Sequence, residues 1–392
     1  MKAPRVAIVG SGHTRFGRLE EQSLEDLIVS AGREAIADAG IEPGAIDAVF
    51  LGHFNSGLVP DGFASSLIHQ ISPDLRFKPA TRLENACASG SAAVFAGISA
   101  IAAGQAEAVL VVGAEKMTNN STADVTRALC GAGYQHDADE AQLSFPQVFA
   151  LAARAYAERY QDPLPTMAAI AAKNHANALR NPLAQMHKDL GFERCNTVSD
   201  SNPLIAPPLR MTDCSLITDG AAAVVLVPES RAGEFPRHVR FRAVSQVNDL
   251  LPFSSRDFVA FEGPERAMKG ALADAGVGLD DVDFAEVHDC FTIAELLIYE
   301  AMGLAPHGQG HRAIEEGTVY RDGALPVNLS GGLKAKGHPV GATGVSMHAL
   351  AFRQLTGTAG DLQLGGAELG LVFNMGGSAV ANYASVLEVG RA

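Results

Sequence analysis

The sequence predicts an α/β protein built from two duplicated halves, and three observations carry that reading. Ala35-Ile-Ala-Asp-Ala-Gly-Ile41 lies over Ala271-Leu-Ala-Asp-Ala-Gly-Val277 at an offset of 236 residues, and Ile46-Asp47 lies over Val282-Asp283 without a gap. Further matches keep their order: Asn85-Ala-Cys87 and the small-residue helix after it correspond to Asn328-Leu-Ser330 and Gly341-Ala-Thr-Gly344, and residues 108–115 to 369–376. The last two segments are continuous apolar runs, as expected when helices cover both faces of a sheet. Each half therefore reads as strand, helix, strand, helix, strand.

In chain order, Met1-Lys-Ala-Pro-Arg5 runs straight into the apolar strand Val6-Ala-Ile-Val9, with no leader-like apolar region, and points to a cytoplasmic protein. Gly10-Ser-Gly12-His-Thr-Arg15 invites a dinucleotide-binding reading, but Arg15 stands where the third glycine belongs, so a structural turn is expected. Ser23 with Asp26 three residues on resembles a capping box opening the first repeated helix, while its counterpart has Pro264 in its first turn. Residues 86–103, weakly polar but broken by serines and glycines, read as a buried helix rather than a membrane span. Residues 117–211 have no counterpart in the second half. They read as an insertion with helices at 145–160 and 167–179 and a proline-rich exit at Pro203 and Pro207-Pro208, placed to cover a site. The division expected is 1–116 with 212–235, then 117–211, then 236–392.

The 392 residues are 47% apolar and 19% charged, enough for a sizeable core, and 30 Lys+Arg against 44 Asp+Glu leave a formal charge of −14. That balance argues against nucleic acid or an anionic membrane as main partner. Five cysteines without a CxxC fit reduced thiols rather than a disulfide framework. His307 and His311 are separated by Gly308-Gln-Gly310 and read as a loop pair without a metal.

Cys87, in Glu84-Asn-Ala-Cys-Ala-Ser-Gly-Ser91, stands apart. It precedes a helix whose free N–H groups and dipole would stabilise a thiolate, and its small neighbours leave room for a ligand. The plainer reading is a small buried hydrophobe. A thiol nucleophile needs a base, and His338 sits in a glycine-rich loop leading into a helix, a poor place for a packing residue. His288, in His288-Asp-Cys-Phe291, follows the strand at 283–287, with Cys290 two residues on. Strand ends on one edge of an α/β sheet are where ligands bind.

With these residues in view the sequence resembles the thiolase superfamily over its whole length. The motifs are Asn85-Ala-Cys-Ala-Ser-Gly90, Gly337-His-Pro339 with Gly341-Ala-Thr-Gly344, His288-Asp-Cys-Phe291, Thr218-Asp-Gly-Ala-Ala-Ala223 and Asn374-Met-Gly-Gly377. The resemblance implies a duplicated five-layer αβαβα fold with an inserted loop domain, a homodimer, and acyl transfer between a cysteine and coenzyme A as co-substrate, with no tightly bound cofactor and no metal. Cys87 would be the acylated nucleophile and His338 its activator. The N–H groups of Cys87 and Gly376 would form the oxyanion site, and Ser215 matches a position that contacts the pantetheine arm. Better-known thiolases have a second cysteine where Asn374 stands and an asparagine where His288 stands. The pattern here is closer to the sterol carrier protein thiolases and their archaeal and bacterial relatives. Cys290 is then the replacement proton carrier, its pKa held near neutrality by an imidazole, and His288 shares an oxyanion site with His338. Lys173, Arg180, Lys188, Arg194 and Arg210 are candidates for the CoA phosphates.

The reaction expected is cleavage of a 3-oxoacyl-CoA by CoA, or the reverse condensation. The rivals are a decarboxylating ketosynthase and a weakly catalytic subunit that scaffolds a small zinc-ribbon and OB-fold acyl-CoA-binding partner.

Overall fold

The computed structural model describes residues 4–390, so Met1–Ala3, part of the segment read above as running into the first strand, lie outside the described residues. Its strands are β1 (Val6–His13), β2 (Ala48–Gly52), β3 (Ala80–Leu83), β4 (Val109–Glu115), β5 (Leu204–Ala206), β6 (Leu209–Arg210), β7 (Gly220–Pro228), β8 (Val239–Asn248), β9 (Phe284–Val287), β10 (Leu369–Gly376) and β11 (Ala381–Val389). Its helices are α1 (Leu24–Ala39), α2 (Ser89–Ala102), α3 (Thr122–Cys130), α4 (Phe145–Arg159), α5 (Leu164–Ala178), α6 (Gly191–Asn196), α7 (Glu262–Ala275), α8 (Thr292–Met302), α9 (His311–Glu315) and α10 (Val340–Leu355).

The main sheet has the order β3-β2-β4-β7-β1-β8-β11-β10-β9. Its two halves meet only where β1 touches β8, at Ala7 opposite Arg240 and Ile8 opposite Val239. Going outward from that seam, β1-β7-β4-β2-β3 on one side matches β8-β11-β10-β9 on the other. The place of β3 is taken in the second half by one bridge, Ala285 to Val327.

Helix α1 packs on β1 and β7, α7 on β8 and β11, and α2 against α10 between the two half-sheets, which gives five layers. Side-chain alternation along β4 shows why its sequence is continuously apolar. Val109 and Val111 join the core shared with α2 and α10, whereas Leu110 and Val112 join the core under α1. The repeated helices end as their glycines dictate: Gly40 and Gly276 take left-handed conformations at φ 66° and 67°. The Ser23 hydroxyl accepts from the Asp26 N–H at 3.1 Å and the Asp26 carboxylate accepts from the Ser23 N–H at 2.9 Å, completing the capping box.

One local expectation fails. Gly10-Ser-Gly12 is no turn but the far half of β1. Its glycines permit close approach, because a Cβ on Gly10 would lie 2.6 Å from the Ala35 carbonyl and one on Gly12 2.1 Å from that of Ala31. Among the described residues, no helix is long and apolar enough to cross a membrane.

Candidate active site

Two helix N-termini, one from each half, face a common cavity. The short connection from β3 to α2 carries Cys87, and it is tightened by Ala86 in the left-handed region at φ 50°. The Asn85 N–H donates to Ser89 Oγ at 2.8 Å, and Ser89 donates to the Ala86 carbonyl at 2.6 Å, so the turn is bonded to itself. The connection into α10 carries His338. It passes through a π-helical turn, Gly332–Lys336, bounded by left-handed Gly331 and by Gly337 at φ 121°.

A buried polar scaffold fixes that second loop. The Asp289 carboxylate accepts from the N–H groups of Leu333 at 2.6 Å and Lys334 at 3.2 Å, tying the His288-Asp-Cys-Phe block to the start of the π turn. The His338 N–H donates to Thr218 Oγ1 at 3.0 Å, and Thr218 donates to Gln185 Oε1 at 2.6 Å. Asp219 takes the Lys116 ammonium at 2.6 Å and the N–H groups of Met117 and Thr118 at 2.6 and 2.8 Å. The Thr218-Asp-Gly motif is thus a joint rather than a ligand site.

The sulfur of Cys87 and a ring nitrogen from each of His288 and His338 all lie within 4.8 Å of one another. The two imidazoles meet edge to face, with centroids 5.2 Å apart. The hydrogen-bond chain assigns the His338 tautomer. Thr343 donates its hydroxyl to the Pro339 carbonyl at 3.0 Å, so at 2.7 Å from His338 Nδ1 it accepts, and Nδ1 carries the proton. His338 Nε2 is left as a buried lone pair without a partner.

Burial, with the Lys336 ammonium second, pulls His338 down to about 3. Burial pushes the Cys87 thiol up to about 12, only partly offset by an N–H contact from Gly377. The resting pair is therefore neutral thiol and neutral imidazole, and the thiolate expected from the helix terminus is corrected: desolvation outweighs it. The contacting amide is that of Gly377, one residue beyond Gly376, whose Cα faces the Asn85 carbonyl and Ala88.

Cys290, Ser215 and Phe291 line the same cavity of about 280 Å³, with Met117, Val125 and Leu129 forming part of its apolar wall. The Ser215 N–H donates to the Cys290 carbonyl at 2.9 Å. The Cys290 thiol stands well above the ordinary range through burial first and the nearby Cys87 second, so no imidazole holds it near neutrality. Two basic candidates are also corrected. Lys173 is buried in an ion pair with Glu295 at 2.9 Å and Arg210 in one with Asp213 at 2.8 Å, so neither is free for a phosphate. Arg180 and Lys188 remain exposed.

The duplicated α/β chain thus brings one cysteine and two histidines together across its halves. Comparison places it further. The thiolase N-terminal domain model matches residues 6–191 and the thiolase C-terminal domain-like model residues 245–389, and the chain belongs to the thiolase family. It is 39% identical over 376 residues to an acetyl-CoA acetyltransferase of Methanothermobacter thermautotrophicus, covering 95% of this chain and 96% of that protein. It is 32% identical to sterol carrier protein 2 of Oryctolagus cuniculus, covering 95% of this chain and 70% of that one. The solved Ltp2-ChsH2(DUF35) aldolase superposes with a TM-score of 0.83 at 23% identity, covering 100% of this chain and 99% of that one.

The glycine-rich loop, the strand-end block and the cysteine turn were all legible as motifs. The Thr343 contact, the Asp289 tie and the Gly377 amide were not. Each joins groups whose sequence spacing carries no periodic signal, although Thr343, Asp289 and Gly377 all lay inside motifs already singled out.

Proposed function

We propose that this protein is an acyl-CoA C-acyltransferase that cleaves a 3-oxoacyl-CoA with coenzyme A, or condenses two acyl-CoA molecules in reverse. The observation that carries the reading is the convergence of Cys87, His288 and His338 within 4.8 Å of one another, with Cys87 and His338 lining an apolar cavity. As the Cys87 sulfur attacks the substrate carbonyl, its proton passes to the free lone pair of His338 Nε2. The carbon–carbon bond to the acyl-CoA fragment then breaks, and that fragment leaves after taking up a proton at its α-carbon. Cys290 is the group on the cavity wall assigned to supply it. The thiol of coenzyme A then attacks the acyl-cysteine: its proton restores the Cys290 thiol, and His338 returns the proton it took to the Cys87 sulfur as that sulfur leaves. Starting from a neutral pair suits this cycle, because no buried charge has to be held before substrate arrives. The oxygen of each tetrahedral intermediate is met by N–H donors, with the amides at Cys87 and at Gly376 or Gly377 on one side and the imidazoles on the other. Ser215 is placed against the pantetheine arm.

The same reading takes 1–116 with 212–235 and 236–392 as the catalytic halves and 117–211 as the segment shaping the acyl pocket. A homodimer is included: edge strand β3 borders a groove lined by Leu83, Phe95, Ile98, Ile101 and Tyr383, which a second copy would cover. A monomer by sedimentation at micromolar concentration contradicts that part. A small acyl-CoA-binding partner is a second arrangement, prompted by the DUF35 named in the aldolase complex. The reaction itself is tested with acetoacetyl-CoA and free CoA. Two acetyl-CoA per turnover supports it, while carbon dioxide release from a malonyl thioester without free CoA would favour a ketosynthase.

A further inference from the structure

Asn374, on β10, is fully buried and stands between the nucleophile's backbone and His288. Its Nδ2 lies 3.2 Å from the Cys87 carbonyl oxygen and 2.8 Å from His288 Nδ1, while its Oδ1 has no partner. The orientation of the amide is fixed by the first contact. A carbonyl oxygen accepts only, so the group facing it must be the NH₂ and not the amide oxygen. The second N–H of that NH₂ then points at His288 Nδ1, which must accept. His288 consequently carries its proton on Nε2, the opposite arrangement from His338, whose proton is on Nδ1. Beside the Cys87 sulfur, one imidazole thus carries its proton on Nε2 and the other leaves Nε2 as a lone pair.

This asymmetry matters because the ligand set is otherwise that of a soft divalent cation. One sulfur and two imidazole nitrogens lie within 4.8 Å of one another, the histidines buried and the cysteine half-buried. Zinc binds such N and S ligands readily, and a ligating imidazole must present a lone pair. We propose that Asn374 is a positioning residue that locks His288 in its Nε2–H form, so that His288 serves as an oxyanion donor and is withheld from zinc coordination with Cys87 and His338. The donor half of this inference deepens the acyl-transfer reading, while the tautomer and the exclusion of zinc stand without it.

Asn374→Asp inverts the lock. A carboxylate accepts from His288 Nδ1–H, leaves Nε2 as a lone pair, and recreates the carboxylate–histidine–metal arrangement. The experiment has two arms. Histidine-selective ¹⁵N labelling of the full-length wild type, with His288 assigned by its loss in His288→Gln, reads which ring nitrogen is protonated. Zinc chloride titration, reversed by EDTA, reads inhibition and Cys87 alkylation in wild type and in Asn374→Asp. The expected results are an Nε2–H signal for His288, and tightening of zinc affinity by about tenfold or more in the variant, the scale on which partners of metal ligands act. Should Asn374→Asp fail to fold, Asn374→Ala, which frees the tautomer without adding charge, is read in the same way. An Nδ1–H signal in the wild type, or equal zinc affinity in wild type and variant, overturns the proposal. Failure of thiolysis with the Nε2–H signal present would instead sink the reaction reading and leave this inference standing.

Discussion

His53 follows β2 and His288 follows β9, so each half of the molecule sets a buried histidine just past the same strand of its sheet. What meets them from the neighbouring strand differs. His53 is met by Glu115 of β4, with Nδ1 3.1 Å from the carboxylate. That carboxylate also accepts from the N–H groups of Phe54 at 2.9 Å, Asn55 at 3.0 Å and Gly341 at 3.0 Å. Although burial works against the charge, the Glu115 carboxylate raises His53 above its ordinary value, and His53 and the backbone donors hold Glu115 below its own. The result is a buried histidine–carboxylate pair beneath the N-terminus of α10. His288 is met by an amide, and burial, then His338 and Lys336, take it well below the usual imidazole range. A carboxylate partner favours the protonated ring, and an amide partner with burial favours the neutral one.

The largest effects should fall on the cavity side of that contrast. Cys87→Ser is expected to lower acyl transfer by roughly 10²-fold or more, because the hydroxyl keeps the shape but is a poor nucleophile. Wild-type turnover in that variant would remove Cys87 from the chemistry. His288→Gln should cost about 10²-fold in kcat, the scale of a lost oxyanion donor, with the circular dichroism spectrum unchanged. Cys290→Ala should acylate normally at Cys87 yet lose carbon–carbon bond making and breaking by a similar factor of about 10². If Cys290→Ala turns over normally, the thiol merely packs and His288 is the next proton carrier to test.

On the ion-pair side the expectation is different in kind. His53→Gln should leave kcat near wild type while lowering unfolding free energy by about 2 kcal/mol or more, since a buried carboxylate loses its cation. A hundredfold loss of kcat there, with stability intact, would erase the contrast.

The pH dependence sharpens it with opposite signs. The raised His53 contributes stability below its unfolded value of 6.5 and loses it as pH rises through its folded value. The lowered Glu115 contributes above 4.5 and loses it on acidification through its folded value, so the pair is fully effective between 4.5 and 6.5. For His288 the unfolded chain takes up a proton below 6.5 and the folded one does not, so acidification there favours unfolding. Destabilisation by His53→Gln should therefore be greater at about pH 5.5 than at about pH 9, and that by His288→Gln smaller, as read by urea midpoints. Parallel shifts in the two variants would contradict the assignment of charge.

Much of this was written in the chain. The repeat announced the two halves, the continuous apolar runs announced strands covered on both faces, and the motifs announced Cys87, Cys290, Ser215 and His338, which line one cavity, and His288, which lies beside Cys87 and His338. The ion pair was not legible, because Glu115 ends an apolar strand and its partner lies 62 positions earlier, with no spacing rule to join them. The role of Asn374 was hidden for a similar reason: the identity of the residue showed only that it cannot shuttle a proton, and its two contacts exist only once β10 lies beside the Cys87 turn. Local helix-dipole reasoning also misjudged the thiol, since it ignored the protein packed around the sulfur.

Intact mass spectrometry of the full-length protein after brief exposure to acetyl-CoA tests the central claim most directly. One added acetyl group is expected on wild type and on Cys290→Ala, removed by free CoA, and none on Cys87→Ser. An acetyl group retained on Cys87→Ser, or no adduct on wild type with acetyl-CoA or any longer acyl-CoA, would contradict it.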